Sequence, residues 1–478
     1  MYPLLASSYA LKGSESKWFI FDIKTGREFP LTNSQYFLFR SFNGTKKLES
    51  LAKDNNIKLD LLKKFVNKQK RLGFLKILPN RLSKRDILKS QSPKLDYKPY
   101  LREVHLDITS KCNLSCRHCY QYPLVQKNSN IKNNLTTNEL KKLIDQMAYD
   151  LGVTRLVISG GEPFLRKNLF KILEYSAKRH ILPSTIFTNG SINIFDSLRD
   201  YIKKAKHPLT IAVSLDGNSK FSHEIIRGRG SYKPTIKFIE KISDLSKKRK
   251  SVKLFINTMV HKYNLEELPL LYKRLCKYKV FRWRLAMPRL QGKFIPNARD
   301  LSEAKIKVFT VYKKLIKNYF FKNIWRNQTE NKLQLQIECI FKSEFFRKKT
   351  IQLFERSTPC CAYKLNALAI KPNGDVVPCP SFINKVIGNI RTAKLKTIWT
   401  SNKMQFLKKL PVSLLNECQS CKLVKFCGGG CRKVALDETG SLYKKDSSTC
   451  EIYNFFYTDI LPLIKSHGIK TIPYKKIY

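Results

Sequence analysis

Three cysteines and a histidine fall within nine positions in the stretch CNLSCRHCY, residues 112–120. Thiols at this density point to metal ligation. A tetrahedral zinc site needs a fourth Cys or His. His118 lies beside Cys119 and cannot easily bend back to supply it, so zinc would need a remote fourth ligand. A cubane [4Fe–4S] cluster fits better: Cys112, Cys116 and Cys119 ligate three of its irons and leave one open. An open iron can hold a small molecule that does chemistry.

A second group of eight cysteines begins after residue 358. It comprises the adjacent pair Cys360 and Cys361, Cys379 at the end of GDVVPC, then Cys418, Cys421, Cys427 and Cys431 spaced CxxCx5CxxxC, and finally Cys450. Eight thiols suffice for two fully ligated cubanes. Cys360 and Cys361 are neighbours, however, and successive side chains of an extended segment point opposite ways. One of the two is therefore expected to be idle, leaving an open iron there too unless Cys339 reaches it. Cys276 and Cys339 stand alone in helical patterns and read as small buried hydrophobes.

The elements that must position these groups follow from periodicity. Between residues 101 and 320 apolar strand segments alternate with helical ones. The strands are VHLDI (104–108), RLVIS (155–159), STIFT (184–188), LTIAVSL (209–215), KLFINTMV (253–260) and FRWRLAM (281–287). Helices are expected from the capping box Thr136–Glu139, over 168–179, 232–249 and 264–278. Six strands with crossover helices imply an α/β fold with a parallel sheet, curled or closed into a barrel. Ligands then sit at the carboxyl ends of the strands. The notable loops fall there: TSKCNLSCRHCY after the first strand, GGEP after the second, TNG after the third and DG after the fourth.

The flanks differ. Residues 8–30 read as short strands around Gly13 and Gly26. Helical patterns follow at 32–42, 45–54 and 59–72, the last with Leu61, Leu62, Phe65, Val66 and Leu72 on one face, and GFLKILP reads as a wing strand. Residues 1–95 are thus expected to form a winged-helix module, joined by a Lys-, Ser- and Pro-containing linker to a core at 100–320. A helical bridge is expected at 321–357 and a metal-organised region at 358–478.

CxxxCxxC after the first strand of a β/α repeat, with Gly160-Gly161-Glu162-Pro163 after the second, resembles the radical S-adenosylmethionine (SAM) superfamily. The resemblance implies a partial (β/α)6 TIM-like barrel. In it the amino and carboxylate groups of SAM chelate the open iron, reductive cleavage gives a 5′-deoxyadenosyl radical, and that radical abstracts a hydrogen atom. It implies SAM contacts from Gly160, Gly161 and Glu162, from Ser214 in AVSLDG, from Asn257 in FINTMV, and from Arg227, compared to a helix-leading Arg. Thr188 and Asn189 would line the site, and His118 would pack near the adenine. The C-terminal cysteines resemble the SPASM extension. By that resemblance Cys418, Cys421, Cys427 and Cys450 hold an outer auxiliary cluster, while Cys379 and Cys431, with Cys360 or Cys361, hold an inner one.

A winged helix ahead of such a core resembles maturases of ribosomally made peptides of the sactipeptide and ranthipeptide type. In these, a precursor's leader adds a strand to the winged-helix sheet edge. The resemblance implies a precursor-peptide substrate, an external one-electron donor of flavodoxin or ferredoxin type, and an intramolecular thioether as product. Epimerisation, carbon–carbon crosslinking and formylglycine formation are the alternatives.

Composition narrows the partners less than the motifs do. The chain of 478 residues carries 91 Lys plus Arg against 36 Asp plus Glu, a formal charge of +55. That charge suits a generally solvated basic surface, an acidic leader peptide, or nucleic acid as the rival partner. The N-terminus lacks a secretory pattern and no run approaches membrane-spanning length. A cytoplasmic protein is expected, in which thirteen cysteines are not a disulfide framework.

Overall fold

The structure is a computed structural model. It describes residues 1–14, 17–82, 101–125, 133–205, 207–323, 333–337, 341–342, 346–347, 350–352, 366–466 and 470–472.

The N-terminal strands are β1 (Tyr2–Leu5), β2 (Tyr9–Ser14), β3 (Lys17–Asp22) and β4 (Glu28–Leu31), and β2–β3–β4 form an antiparallel meander. Three helices follow, Asn33–Ser41, Leu48–Asp54 and Leu59–Arg71, before β5 (Leu75–Leu78) returns to pair antiparallel with β1. The first helix starts at a capping box, Thr32 with Gln35. In the third, Leu62 and Val66 pack on Ile20, Phe39, Phe42 and Leu51, but Leu61 and Leu72 are exposed. The buried stripe is thus narrower than expected: Leu61 lies about a third of a turn off its centre, and Leu72 is the C-cap.

This module docks on the amino ends of the strands that follow. Phe19 and Phe21 of β3 pack on Leu182. Glu28 accepts both Nε and Nη2 of Arg102 at 3.0 Å, a bidentate pair.

The next six strands are β6 (Glu103–Asp107), β7 (Arg155–Ser159), β8 (Leu182–Thr188), β9 (Leu209–Ser214), β10 (Val252–Met259) and β11 (Val280–Ala286). They pair in chain order and every pair is parallel. Helices connect them: Thr137–Tyr149 behind the expected capping box, Leu169–Lys178, Phe195–Lys204, Lys220–Arg227 with Tyr232–Lys248, and Leu268–Leu275. Consecutive apolar residues such as Leu156, Val157 and Ile158 are all buried, as strands covered on both faces require.

Among the described residues the sheet does not close on itself. Beyond β11 it gains β12 (Gln334–Ile337), parallel, and β13 (Phe341–Lys342), antiparallel. At the other edge β16 (Ala367–Ile370) lies parallel to β6 and continues into β17 (Asp375–Val377) and β18 (Gly388–Asn389). Separately, β14 (Phe346–Arg347) and β15 (Thr350–Gln352) form a small sheet with β19 (Lys470–Ile472). The 321–357 stretch expected as a helical bridge therefore carries strands in its described part beyond the end of helix Lys305–Asn323. In QLQI every second residue, Leu335 and Ile337, is buried. That period of two was masked by the surrounding charges.

The C-terminal region is made of short helices, Leu395–Thr400, Asn402–Lys409, Val424–Cys427, Arg432–Thr439 and Ser447–Phe455. Among the described residues no helix is long and apolar enough to cross a membrane.

Candidate active site at the carboxyl ends of the strands

The loop bearing Cys112, Cys116 and Cys119 leaves β6, and the loops after the neighbouring strands grip it. Gly161 N donates to Thr109 O at 2.8 Å and Glu162 N to Lys111 O at 2.9 Å. A Cβ on Gly161 would stand 2.2 Å from Lys111 O, and one on Gly160, whose φ is +130°, 2.5 Å from Thr109 O. Only glycine admits so close a backbone approach. The two glycines thus seat the cysteine loop itself, a role the motif alone did not suggest.

Glu162 is fully buried and brackets two loops. Its Oε1 accepts from Thr188 Oγ1 at 2.9 Å and Phe164 N at 3.2 Å, and its Oε2 from Asn189 N at 2.8 Å. Burial pushes its carboxyl up to about 7 against these donors. Asn189 Nδ2 in turn donates to Asn113 Oδ1 at 2.9 Å, and Asn113 Nδ2 to Ser191 Oγ at 2.8 Å. Asn113, inside CxxxCxxC, is a positioning residue that sequence reasoning missed. Its only signal was an amide side chain in a turn.

Opposite lies a buried charge cluster. Arg227 Nε donates to Asp216 Oδ2 at 2.5 Å, and Arg227 Nη1 is 4.0 Å from Cys116 Sγ. Arg227 ends helix Lys220–Arg227 rather than leading a helix, because Gly228 at φ +106° stops the turn. Asp216 follows β9 and also accepts Met259 N at 2.7 Å. Burial raises its carboxyl, but Arg227 and then His118 outweigh burial and hold it at about 2. Asp216 was legible only as part of a turn after the fourth strand.

His118 turns toward this cluster, with Nε2 3.7 Å from Asp216 Oδ2. Burial lowers the imidazole to about 4 despite Asp216, so it is neutral near pH 7. Burial also raises the thiols of Cys112 to about 11 and Cys116 to about 12, while Arg227 pulls both down. Such thiols become ligands only when a metal displaces the proton.

Ser214 and Asn257 are paired neighbours at the ends of β9 and β10. Asn257 Nδ2 and His118 Nδ1 are buried and have no hydrogen-bond partner. Unsatisfied buried polar atoms at the strand ends and in the cysteine loop are what a polar cofactor would complete. The residues present therefore fit a cluster and its ligand. Among the described residues no three His, Cys, Asp or Glu side chains are gathered as for a single metal ion, and a cubane is a wider body than one ion.

In the C-terminal region, burial raises the Cys450 thiol to about 11, with Cys427, Cys418 and Cys421 contributing in that order beside Asp446. Burial likewise raises Cys418, followed by Cys427. These four expected outer-cluster thiols thus share one electrostatic neighbourhood. Cys427 Sγ accepts Gly429 N at 3.2 Å. Cys431 N donates to Asp446 Oδ2, and the other oxygen, Oδ1, caps the helix that bears Cys450, both at 2.8 Å. Gly430, at φ +80°, passes so close that a Cβ would lie 2.8 Å from Asp446 Cβ. Cys379 follows β17, half-buried against Leu407. Cys339, Cys360 and Cys361 lie outside the described residues. Cys276 is exposed at the end of helix Leu268–Leu275, not buried as expected. The helix's apolar face is filled by Leu268, Leu271, Tyr272 and Leu275.

Comparison with known proteins adds an independent line. The radical SAM superfamily matches residues 106–275, and the iron–sulfur cluster-binding SPASM domain matches residues 360–422. An AdoMet-dependent heme synthase of Methanosarcina barkeri is 26% identical over 362 residues, which is 72% of this chain and 95% of that protein. The antilisterial bacteriocin subtilosin biosynthesis protein AlbA of Bacillus subtilis is 32% identical over 168 residues, 35% of each chain. The crystal structure of Streptococcus suis SuiB bound to the precursor peptide SuiA superposes with a TM-score of 0.65 at 18% identity, covering 94% of this chain and 99% of that one.

Proposed function

From a chain that carries a radical SAM domain and a SPASM domain, and so is an enzyme using SAM and [4Fe–4S] clusters, we propose a maturase of a ribosomally made precursor peptide. The bond we assign to it is an intramolecular thioether, from a Cys sulfur to a peptide carbon.

The observation that carries this reading is coverage. The fold shared with SuiB leaves no more than 6% of this chain unmatched, given 94% coverage. The N-terminal module is therefore included in large part, and SuiB was solved with a precursor peptide. The heme synthase relative matches 72% of this chain and leaves 28% outside. Its near-full coverage of that relative (95%) supports a second reading, a tetrapyrrole substrate for the same radical chemistry.

When bound, the cluster and SAM supply a carbon-centred radical able to take hydrogen from an unactivated carbon. Cys112, Cys116 and Cys119 would hold that cluster. Arg227, 4.0 Å from the Cys116 sulfur, favours its thiolate. Ser214 and Asn257 would offer polar contacts from the strand ends, and buried His118 would keep water out. Glu162, Asn189 and Asn113 hold the loops to one another so that little reorganisation accompanies binding. Cys379 and Cys431, with Cys360 or Cys361, and the set Cys418, Cys421, Cys427 and Cys450 would hold auxiliary clusters. An external one-electron carrier would be needed to reduce them.

The N-terminal module sits at the amino ends of the strands, whereas the site lies at their carboxyl ends. A seven-residue strand such as β8 spans about 23 Å. A leader held by the module must therefore be followed by a spacer of at least about seven extended residues before the modified segment.

Co-expression with the small reading frames beside the gene, followed by mass spectrometry of each peptide, tests the reading. Loss of two hydrogens from a Cys-containing core peptide is expected. A peptide-free activity on a tetrapyrrole, with no mass change in any neighbouring peptide, would overturn it.

A further inference from the structure

One buried lysine joins the two cysteine-bearing regions. Lys371 follows β16 and is completely buried. Its ammonium reaches three acceptors. They are Asp107 Oδ2 at 2.8 Å, Gln121 Oε1 at 3.3 Å and Pro380 O at 3.0 Å. Asp107 is the last residue of β6, where the loop of Cys112, Cys116 and Cys119 begins. Gln121 stands two residues beyond Cys119, and Pro380 is the residue after Cys379. All three N–H donors of the ammonium are thus used, one on each side of the first cysteine loop and one on the loop of Cys379.

Stability alone is a poor account of this arrangement. A buried ion pair often contributes no more than apolar residues of the same size would. What a three-point ammonium does supply is a fixed relative position for the groups it binds. The same chain of contacts continues to Tyr120, whose Oη accepts Gln121 Nε2 at 3.4 Å. Gln291 adds a parallel tie from the loop after β11 through Nε2 to Ser381 O at 2.7 Å.

We propose that Lys371 is a positioning residue that locks the Cys379 loop onto the Cys112–Cys119 loop and so sets the spacing between the SAM-site cluster and the inner auxiliary cluster. The part concerning clusters rests on the reading of Cys379 as a ligand given above; the lock between the loops does not.

Removing only one charge would leave the other buried and unpaired, so the test uses the double substitution Lys371→Met with Asp107→Asn. In the iron-free protein, amide hydrogen exchange over residues 379–385 should rise about tenfold, the loss of one charge-assisted hydrogen bond. Exchange in the N-terminal module and in helix Leu169–Lys178 should stay unchanged, which a general loss of stability would not allow. In the reconstituted protein the magnetic interaction between the reduced clusters, read by electron paramagnetic resonance, should be altered with total iron retained. Unchanged exchange over 379–385, or a uniform rise everywhere, overturns the proposal. The variant Cys379→Ala separates the two claims. Full iron content in it contradicts the ligand reading and removes the cluster part, while the exchange result still decides the lock.

Discussion

The loop of Cys112, Cys116 and Cys119 is gripped by backbone and side-chain bonds from the loops after β7, β8 and β9, whereas Cys418 and Cys427 end one-turn elements, Cys421 lies in the turn between them, and Cys450 rides on a nine-residue helix. In the first region the protein has already arranged its thiols: two glycines admit the backbone, Glu162 ties two loops, and Arg227 lies against Cys116. In the second, Asp446 ties the N–H of Cys431 to the helix of Cys450, Gly429 N donates to Cys427 Sγ, and Arg432 holds the carbonyls of Gly429, Leu442 and Lys444. Metal-binding free energy is used differently in the two regions. A preformed site keeps metal affinity for chemistry, while a loosely braced one uses it to fold.

Iron removal should break the symmetry most. Chelation under anaerobic conditions is expected to abolish hydrogen-exchange protection across residues 412–455 while strands β6 to β11 keep theirs. Equal loss in both regions would show that the strands bearing the first cysteine loop, too, depend on its metal.

A smaller effect is expected at Glu162. Glu162→Gln replaces a carboxylate that accepts three hydrogen bonds by an amide that cannot accept them all, and should cost about 1–3 kcal/mol in urea unfolding of the apoprotein. Its pH signature has a definite sign. The folded carboxyl stands at about 7, above its usual 4.5, so the folded state holds this proton longer than the unfolded chain does. The stability from this proton is complete below about pH 4.5 and is lost as pH rises through about 7, by up to about 3 kcal/mol. The wild type should therefore lose more stability than Glu162→Gln between pH 5 and 7. Parallel profiles would mean that Glu162 is ionised throughout.

Much of this comparison was legible in the sequence. RLVIS was read residue for residue as β7, and the Thr136–Glu139 capping box opens its helix. Those features repeat at the period of their element, so a local window contains them. The loops with chemistry fell at strand ends for the same reason. Local windows failed where a residue's meaning lies far along the chain. Asp216 and Arg227 meet across 11 residues, Asn113 and Asn189 across 76, Lys371 and Asp107 across 264. No periodicity announces such pairs. The strand addition of β16 to β6 was missed likewise, and charged neighbours hid the alternation of QLQI.

The proposed function rests on a cluster in the loop of Cys112, Cys116 and Cys119 on which SAM is cleaved. The most direct measurement is 5′-deoxyadenosine formed by the anaerobically reconstituted, dithionite-reduced protein, beside the Cys116→Ala and Cys421→Ala variants. SAM-dependent formation is expected for the wild type, none above background for Cys116→Ala, and partial retention for Cys421→Ala. Undiminished formation by Cys116→Ala would contradict the proposed function.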